Sequence, residues 1–63
     1  MNSDELKGNW HQLKGQVKQQ WGKLTDDDVE RIDGNLEELV GCIQERYGKA
    51  RDEAERDVNG WQS

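Results

Sequence analysis

The side chains that could carry nucleophilic chemistry are few: one histidine, one cysteine, two serines and one threonine. A Cys–His nucleophile pair needs hydrogen-bond contact and a third group that orients the base. His11 and Cys42 stand far apart in the sequence, and no nearby motif supplies that third group. We therefore predict a protein that is not an enzyme and that uses no cofactor.

Four basic side chains form the best candidate binding surface. Lys7, His11, Lys14 and Lys18 follow one another at spacings of four, three and four, which places them along one edge of a helix. Such an edge could contact phosphates or an acidic partner. Alternatively, the lysine stems simply cover a neighbouring apolar stripe. No arginine occurs in this segment, and the net charge of −5 disfavours nucleic acid, which remains an alternative partner.

The acidic run Asp26-Asp27-Asp28 invites comparison with a metal site. A calcium loop of the EF-hand type needs glycine at its sixth position, and counting from Asp26 that position is Arg31. Acidic residues in the first turn of a helix are favoured by the helix dipole without any metal. We therefore predict a structural role for this run and no bound metal.

Cys42 is the candidate exposed thiol. On a helical wheel it lies roughly 120° from the centre of its helix's apolar face, which predicts a boundary or exposed position. A single cysteine cannot form an internal disulfide. An inert thiol and a Cys42-linked dimer under oxidation are both open, and otherwise we expect a monomer with no identified partner.

Length and composition set further limits. The chain has 63 residues, 37% charged and 30% hydrophobic, with a mean hydropathy of −1.29. We predict one domain, 1–63, which buries only about 60% of its unfolded surface and has little room for a walled active site. Residues 1–5 show neither a basic start nor an apolar run, and no membrane-length apolar run follows. We therefore expect a cytoplasmic protein without a membrane span.

Apolar spacing predicts helices throughout. The first runs from Ser3, a candidate N-cap, to Trp21, and Gly22 ends it. Its apolar residues recur at spacings of four, three, four and four. They are Leu6, Trp10, Leu13, Val17 and Trp21.

Three shorter helices follow in the chain. Thr25 and Asp28 have the spacing of a capping box at the start of the second, which Gly34 ends. The third spans 35–47 and closes at Gly48, and a weaker fourth spans 50–61. The predicted fold class is all-α, a small bundle of about four short helices arranged as two packed helical hairpins.

Six of the seven glycines form two triplets with a spacing of seven. Glycine weakens a helix by about 1 kcal/mol relative to alanine. Three interpretations are open: tolerated solvent-facing positions, helices of deliberately marginal stability, or close packing against another helix. The positions are Gly8, Gly15 and Gly22, then Gly34, Gly41 and Gly48.

Two segments have a distinctive order of Trp, Gly and Thr-Asp-Asp elements: GNWHQLKGQVKQQWGKLTDDD, from Gly8 to Asp28, and LEELVGCIQERYG, from Leu36 to Gly48. Together they resemble the CsbD-like bacterial stress-response proteins. The resemblance implies a small helical bundle of the bacterial cytoplasm associated with the general stress response, with no enzymatic activity, cofactor or catalytic residues. Cys42, where lysine is more typical, and residues 49–63 depart from the pattern.

Two functions therefore compete. The first is a hydrophilin-like protectant, whose hydrated, charged chain shields other macromolecules under osmotic or drying stress. The alternative is a small interaction module that uses the basic edge of the first helix, with Lys7, His11, Lys14 and Lys18 as its contacts.

Overall fold

The computed structural model describes residues 3–61, and within them it contains five helices and no strand. The predicted all-α class is therefore confirmed, with one helix more than expected. The helices are α1 (Ser3–Gly8), α2 (Trp10–Gln20), α3 (Asp26–Ile32), α4 (Leu36–Tyr47) and α5 (Arg51–Trp61).

The extra helix arises because the predicted first helix is broken at Asn9. Asn9 leaves helical geometry at φ −112° and ψ 15°, directly after Gly8. Glycine is a poor helix former and asparagine is also unfavourable inside a helix, so this dipeptide is a natural break, although the Asn9 side chain accepts no capping hydrogen bond. The break lets α1 pack against α4 while α2 packs against α3. Ser3 already lies within α1, so its prediction as N-cap is wrong.

From α2 onward each helix packs against the next one along the chain, α2 with α3, α3 with α4 and α4 with α5. Because α4 also contacts α1, it is the central helix of the bundle. One buried apolar cluster fills the space between the helices. Its members are Leu6, Trp10, Val17, Trp21, Leu24, Val29, Ile32, Leu39, Val40, Cys42, Ile43, Ala54 and Val58.

Side-chain caps fix where α3 and α4 begin. The Thr25 hydroxyl accepts from the backbone N–H of Asp28 at 3.1 Å, and the Asp28 carboxylate accepts from the backbone N–H of Thr25 at 3.0 Å. This is the predicted capping box. Asn35 caps α4 by accepting from the backbone N–H of Glu38 at 3.2 Å. At its other end, α4 closes at Gly48 in the left-handed conformation, as predicted.

The glycines differ sharply in what surrounds them. A Cβ on Gly34, where φ is +78°, would lie 2.8 Å from the Lys7 Cα, so the α3–α4 turn needs glycine to approach α1. A Cβ on Gly15 or Gly41 would meet no atom within 4 Å, which excludes close packing at these two positions.

Alanine substitutions should therefore have opposite effects at these positions. Gly34→Ala should lower the free energy of unfolding by about 1–3 kcal/mol, because it adds backbone strain and a steric overlap. Gly15→Ala and Gly41→Ala should each raise it by about 0.5–1 kcal/mol through helix propensity. Urea denaturation followed by circular dichroism measures all three, and equal effects at Gly34 and Gly15 would contradict the packing described here.

Candidate functional site

The predicted basic edge is divided between two helices. Lys7 belongs to α1, whereas His11, Lys14 and Lys18 belong to α2, and the break at Asn9 lies between them. Lys7, His11 and Lys18 are exposed, and Lys14 is half-buried. The structure therefore does not present the four side chains as one continuous helical edge.

Acidic side chains of α3 and its C-terminal turn offset the charge of this edge. The Lys18 ammonium forms an ion pair with the Asp26 carboxylate. His11 and Lys14 share an open cleft with Glu30 and Asp33. A phosphate that approached α2 would meet these carboxylates as well as the lysines. The arrangement therefore does not favour the interaction module.

Cys42 is buried, so its prediction as an exposed thiol is wrong: the residue is 1% exposed. The physical reason is that α4 is contacted by α1, α3 and α5, which cover a wider face than a single apolar stripe indicates. The Arg31 guanidinium donates a hydrogen bond from Nη2 to the Cys42 Sγ at 3.0 Å. A disulfide-linked dimer would first require this region to open.

The buried polar centre of the molecule is the Asp28 carboxylate, which is 2% exposed. Arg46, near the end of α4, donates to it twice, from Nε to Oδ2 at 2.8 Å and from Nη2 to Oδ1 at 3.0 Å. The backbone N–H of Thr25 also donates to Oδ2. The Asp28 carboxylate thus caps the start of α3 and also holds the last turn of α4 against α3.

These partners set the protonation of Asp28. The hydrogen bonds from Arg46, and next the hydrogen bond from the Thr25 backbone, hold the pKa of the Asp28 carboxyl far below its ordinary value of 3.8, although burial opposes them. A group whose pKa is lowered by folding stabilises the native state above its unfolded-state pKa. This contribution is lost as the pH falls below about 4.

The sequence predicted only part of the Asp28 centre. The spacing of Thr25 and Asp28 predicted the capping box, but no sequence pattern pointed to Arg46, which lies 18 residues further along the chain.

Asp26 and Asp27 occupy the first turn of α3 together with Asp28. Within residues 3–61 no group of three metal-ligating side chains is positioned to hold an ion. No helix of that region is long and apolar enough to cross a membrane.

Comparison with known proteins identifies a family model and bacterial relatives that are similar to this chain. Residues 4–56 match the family model described as CsbD-like. The UPF0337 protein YjbJ of Escherichia coli K12 is 59% identical over 63 residues, which cover 100% of this chain and 91% of the relative. The UPF0337 protein msl9551 of Mesorhizobium japonicum is 64% identical over 61 residues, covering 97% of this chain and 91% of the relative.

The Asp28–Arg46 pair gives a pH-dependent prediction. Asp28→Asn should lower the free energy of unfolding at pH 7 by about 3 kcal/mol, the lower limit of the range for a broken buried pair, because Arg46 can still reach water. The difference from the parent protein should shrink below about pH 4, where Asp28 itself becomes protonated in the unfolded chain.

Urea denaturation between pH 7 and pH 2 measures this difference. Asp27→Asn removes a charge from the same helical turn at an exposed position and is the matched control. It should change stability by no more than about 0.5 kcal/mol. A stability gap for Asp28→Asn that stayed constant across this pH range would refute the role assigned to the charged pair.

The burial of Cys42 predicts low thiol reactivity. Ellman's reagent should modify the native protein much more slowly than the protein in concentrated urea, because the reaction requires local opening of the bundle. The stabilising variant Gly41→Ala should slow the native reaction further without changing the rate in urea. Equal rates in native and denaturing buffer would show that the thiol is accessible.

Proposed function

The chain belongs to the CsbD-like family, and we propose that it is a non-enzymatic, cytoplasmic stress protectant that acts through its hydrated surface. The observation that carries this proposal is the character of that surface. Among the described residues no large hydrophobic side chain is exposed, and the cleft at the start of α4 and the cleft on α5 around Asp52 and Arg56 are open and lined largely by charged groups. Such a surface binds water and offers no large exposed apolar side chain to a protein client.

The charge balance supports the same role. The acidic and basic side chains form ion pairs across the surface, for example Arg51 with Glu55 at 2.8 Å and Arg56 with Asp52 at 3.4 Å. Exposed pairs of this kind contribute little stability. They keep a dense layer of charged, hydrated groups around a small core, and the remaining net charge of −5 keeps copies apart.

Glycines inside helices, at positions where packing does not require them, also support the proposal. Gly15 and Gly41 lie in the interiors of α2 and α4, facing open space, where alanine would cost nothing sterically. Each glycine weakens its helix by about 1 kcal/mol. The fold therefore gives up stability at positions where packing does not require it. This is the pattern expected of marginal helices that gain structure as water is withdrawn.

The proposed mechanism is shielding. When water becomes scarce, the charged side chains keep a hydration layer between neighbouring macromolecules and so oppose their aggregation. No step of this mechanism requires a catalytic group, a cofactor or a specific partner. The effect should depend on the amount of charged surface and not on one contact residue.

Protection of a drying-sensitive enzyme tests the proposal. Lactate dehydrogenase dried and rehydrated with this protein should keep more activity than with an equal mass of lysozyme. The triple variant Glu30→Gln, Glu45→Gln and Glu53→Gln should protect less, because it removes three exposed charges from the hydrated surface. The triple variant Glu30→Asp, Glu45→Asp and Glu53→Asp keeps all three charges at the same exposed positions, and as the matched control it should protect like the parent.

Two results would count against the proposal. One is protection by the triple glutamine variant that equals that of the parent, since the charged surface would then be irrelevant. The other is a cooperative thermal transition above about 70 °C, well beyond ordinary small domains, which would exclude a marginal fold. If the fold is marginal, as proposed, circular dichroism should show an increase in helix content when osmolyte is added.

A further inference from the structure

An aromatic cleft lies where the C-terminal ends of three helices meet. Trp21 follows α2, Tyr47 ends α4, and Trp61 ends α5. Together they line a cleft of about 560 Å³, within the range of small-ligand sites. The rings of Trp21 and Trp61 pack edge to face, with centroids 5.1 Å apart and planes at 69°. Tyr47 and Trp61 are half-buried, whereas Trp21 is 4% exposed and belongs to the core.

The cleft already attracts ammonium groups of the chain itself. The Lys23 Nζ lies 5.2 Å from the centroid of the Tyr47 ring, and the Lys49 Nζ lies 5.9 Å from it. Both distances are within the range of cation–π attraction. Helix C-termini carry partial negative charge, and three of them end here. The ring therefore accepts ammonium groups, and a ligand cation binds there in place of one of these two flexible lysines, because two cations at the same ring repel each other.

Basic side chains at the rim favour an anionic group beside that cation. Lys49 and Arg56 both line the cleft, and Asp57 is an acidic neighbour that pairs with Lys49. Among the ion pairs of residues 3–61, Arg56 takes part in one, with Asp52 at 3.4 Å, and both side chains are about three-quarters exposed. Exposed pairs of this kind are weak, so the Arg56 guanidinium can exchange Asp52 for another carboxylate.

Other clefts of the described residues lack this combination. Acidic side chains outnumber basic ones around the cleft at the start of α4, which contains Lys7, and the cleft of His11 and Lys14 also contains Glu30 and Asp33. Neither contains more than one aromatic ring. The cleft at the three helix ends combines several aromatic rings with basic side chains. A ligand complementary to it carries a positive group for the rings and a negative group for the basic side chains.

We propose that the cleft of Trp21, Tyr47 and Trp61 binds a small zwitterion that carries a quaternary ammonium group and a carboxylate. The ammonium group lies over the rings of Tyr47 and Trp61, which the buried Trp21 supports from behind, and the carboxylate binds Arg56. A quaternary ammonium suits the rings better than a lysine does, because it is weakly hydrated and loses little solvation on binding. The proposal is independent of the protectant function, which requires no bound ligand.

Glycine betaine is the probe, titrated into ¹⁵N-labelled protein and followed by NMR. The indole Nε1–H signals of Trp21 and Trp61 should shift and saturate with a dissociation constant of the order of 1–10 mM. The signal of Trp10, which lies in a different cleft, should not follow the same curve. Glycine lacks the methyl groups and should bind at least about ten times more weakly.

Two arginine variants separate the ammonium and carboxylate contacts. Arg56→Gln should weaken betaine about fivefold by removing a charge-assisted hydrogen bond, and should not weaken tetramethylammonium, which has no carboxylate. Arg51→Gln is the matched control, because Arg51 is an exposed arginine of the same helix that pairs with Glu37 and Glu55 and does not line the cleft. It should leave betaine binding unchanged.

Trp61→Leu should weaken the binding of both betaine and tetramethylammonium. If this variant fails to fold, Arg56→Gln, at an exposed position, still tests the proposal. Any of three results would overturn the proposal. These are no saturable indole shift up to about 100 mM betaine, equal affinity for glycine and betaine, or equal losses in the Arg56 and Arg51 variants. The lactate dehydrogenase assay contains no betaine, so it tests the protectant function independently of these three results.

Discussion

The ionised carboxylate of Asp28 is the interaction on which the arrangement of the helices depends. A charge buried in a domain this small is costly unless it is fully paired. Three N–H donors meet that requirement, two on Arg46 and one on the backbone of Thr25. The same contacts start α3 and fix the end of α4 against it. The relative position of these two helices therefore follows from satisfying one charged group.

Around this pair, α4 is enclosed by its neighbours. The close approach of Gly34 to Lys7 brings α1 onto α4, and α5 covers another side. Enclosure by three helices buries Cys42, whose thiol accepts a hydrogen bond from Arg31. Nearly all the apolar surface is used in this way, and the outside is left to charged groups. Because a chain of 63 residues needs nearly all its apolar side chains for the core, its surface is charged and hydrated, and the proposed protectant role depends on that surface.

Where three helices end, the core reaches the surface through half-buried rings. Tyr47 and Trp61 must pack on the cluster to complete it, yet each is only half-buried. Lysines gather at these ends because helix C-termini favour cations. The aromatic and basic cleft is thus a consequence of how a small bundle closes, and its chemistry is independent of the rest of the surface.

The sequence alone determined what depends on residues three or four positions apart: the apolar stripes, the capping box of Thr25 and Asp28, and the end of α4 at Gly48. Even the break at Asn9 had a local signal in the Gly8–Asn9 dipeptide, which the continuous stripe obscured. Only the tertiary structure decided the Asp28–Arg46 pair, the burial of Cys42 and the pairing of Trp21 with Trp61. Each of these joins or encloses residues of different helices. Helical periodicity describes one face of one helix, and the number of neighbours a helix acquires depends on how all the helices cross.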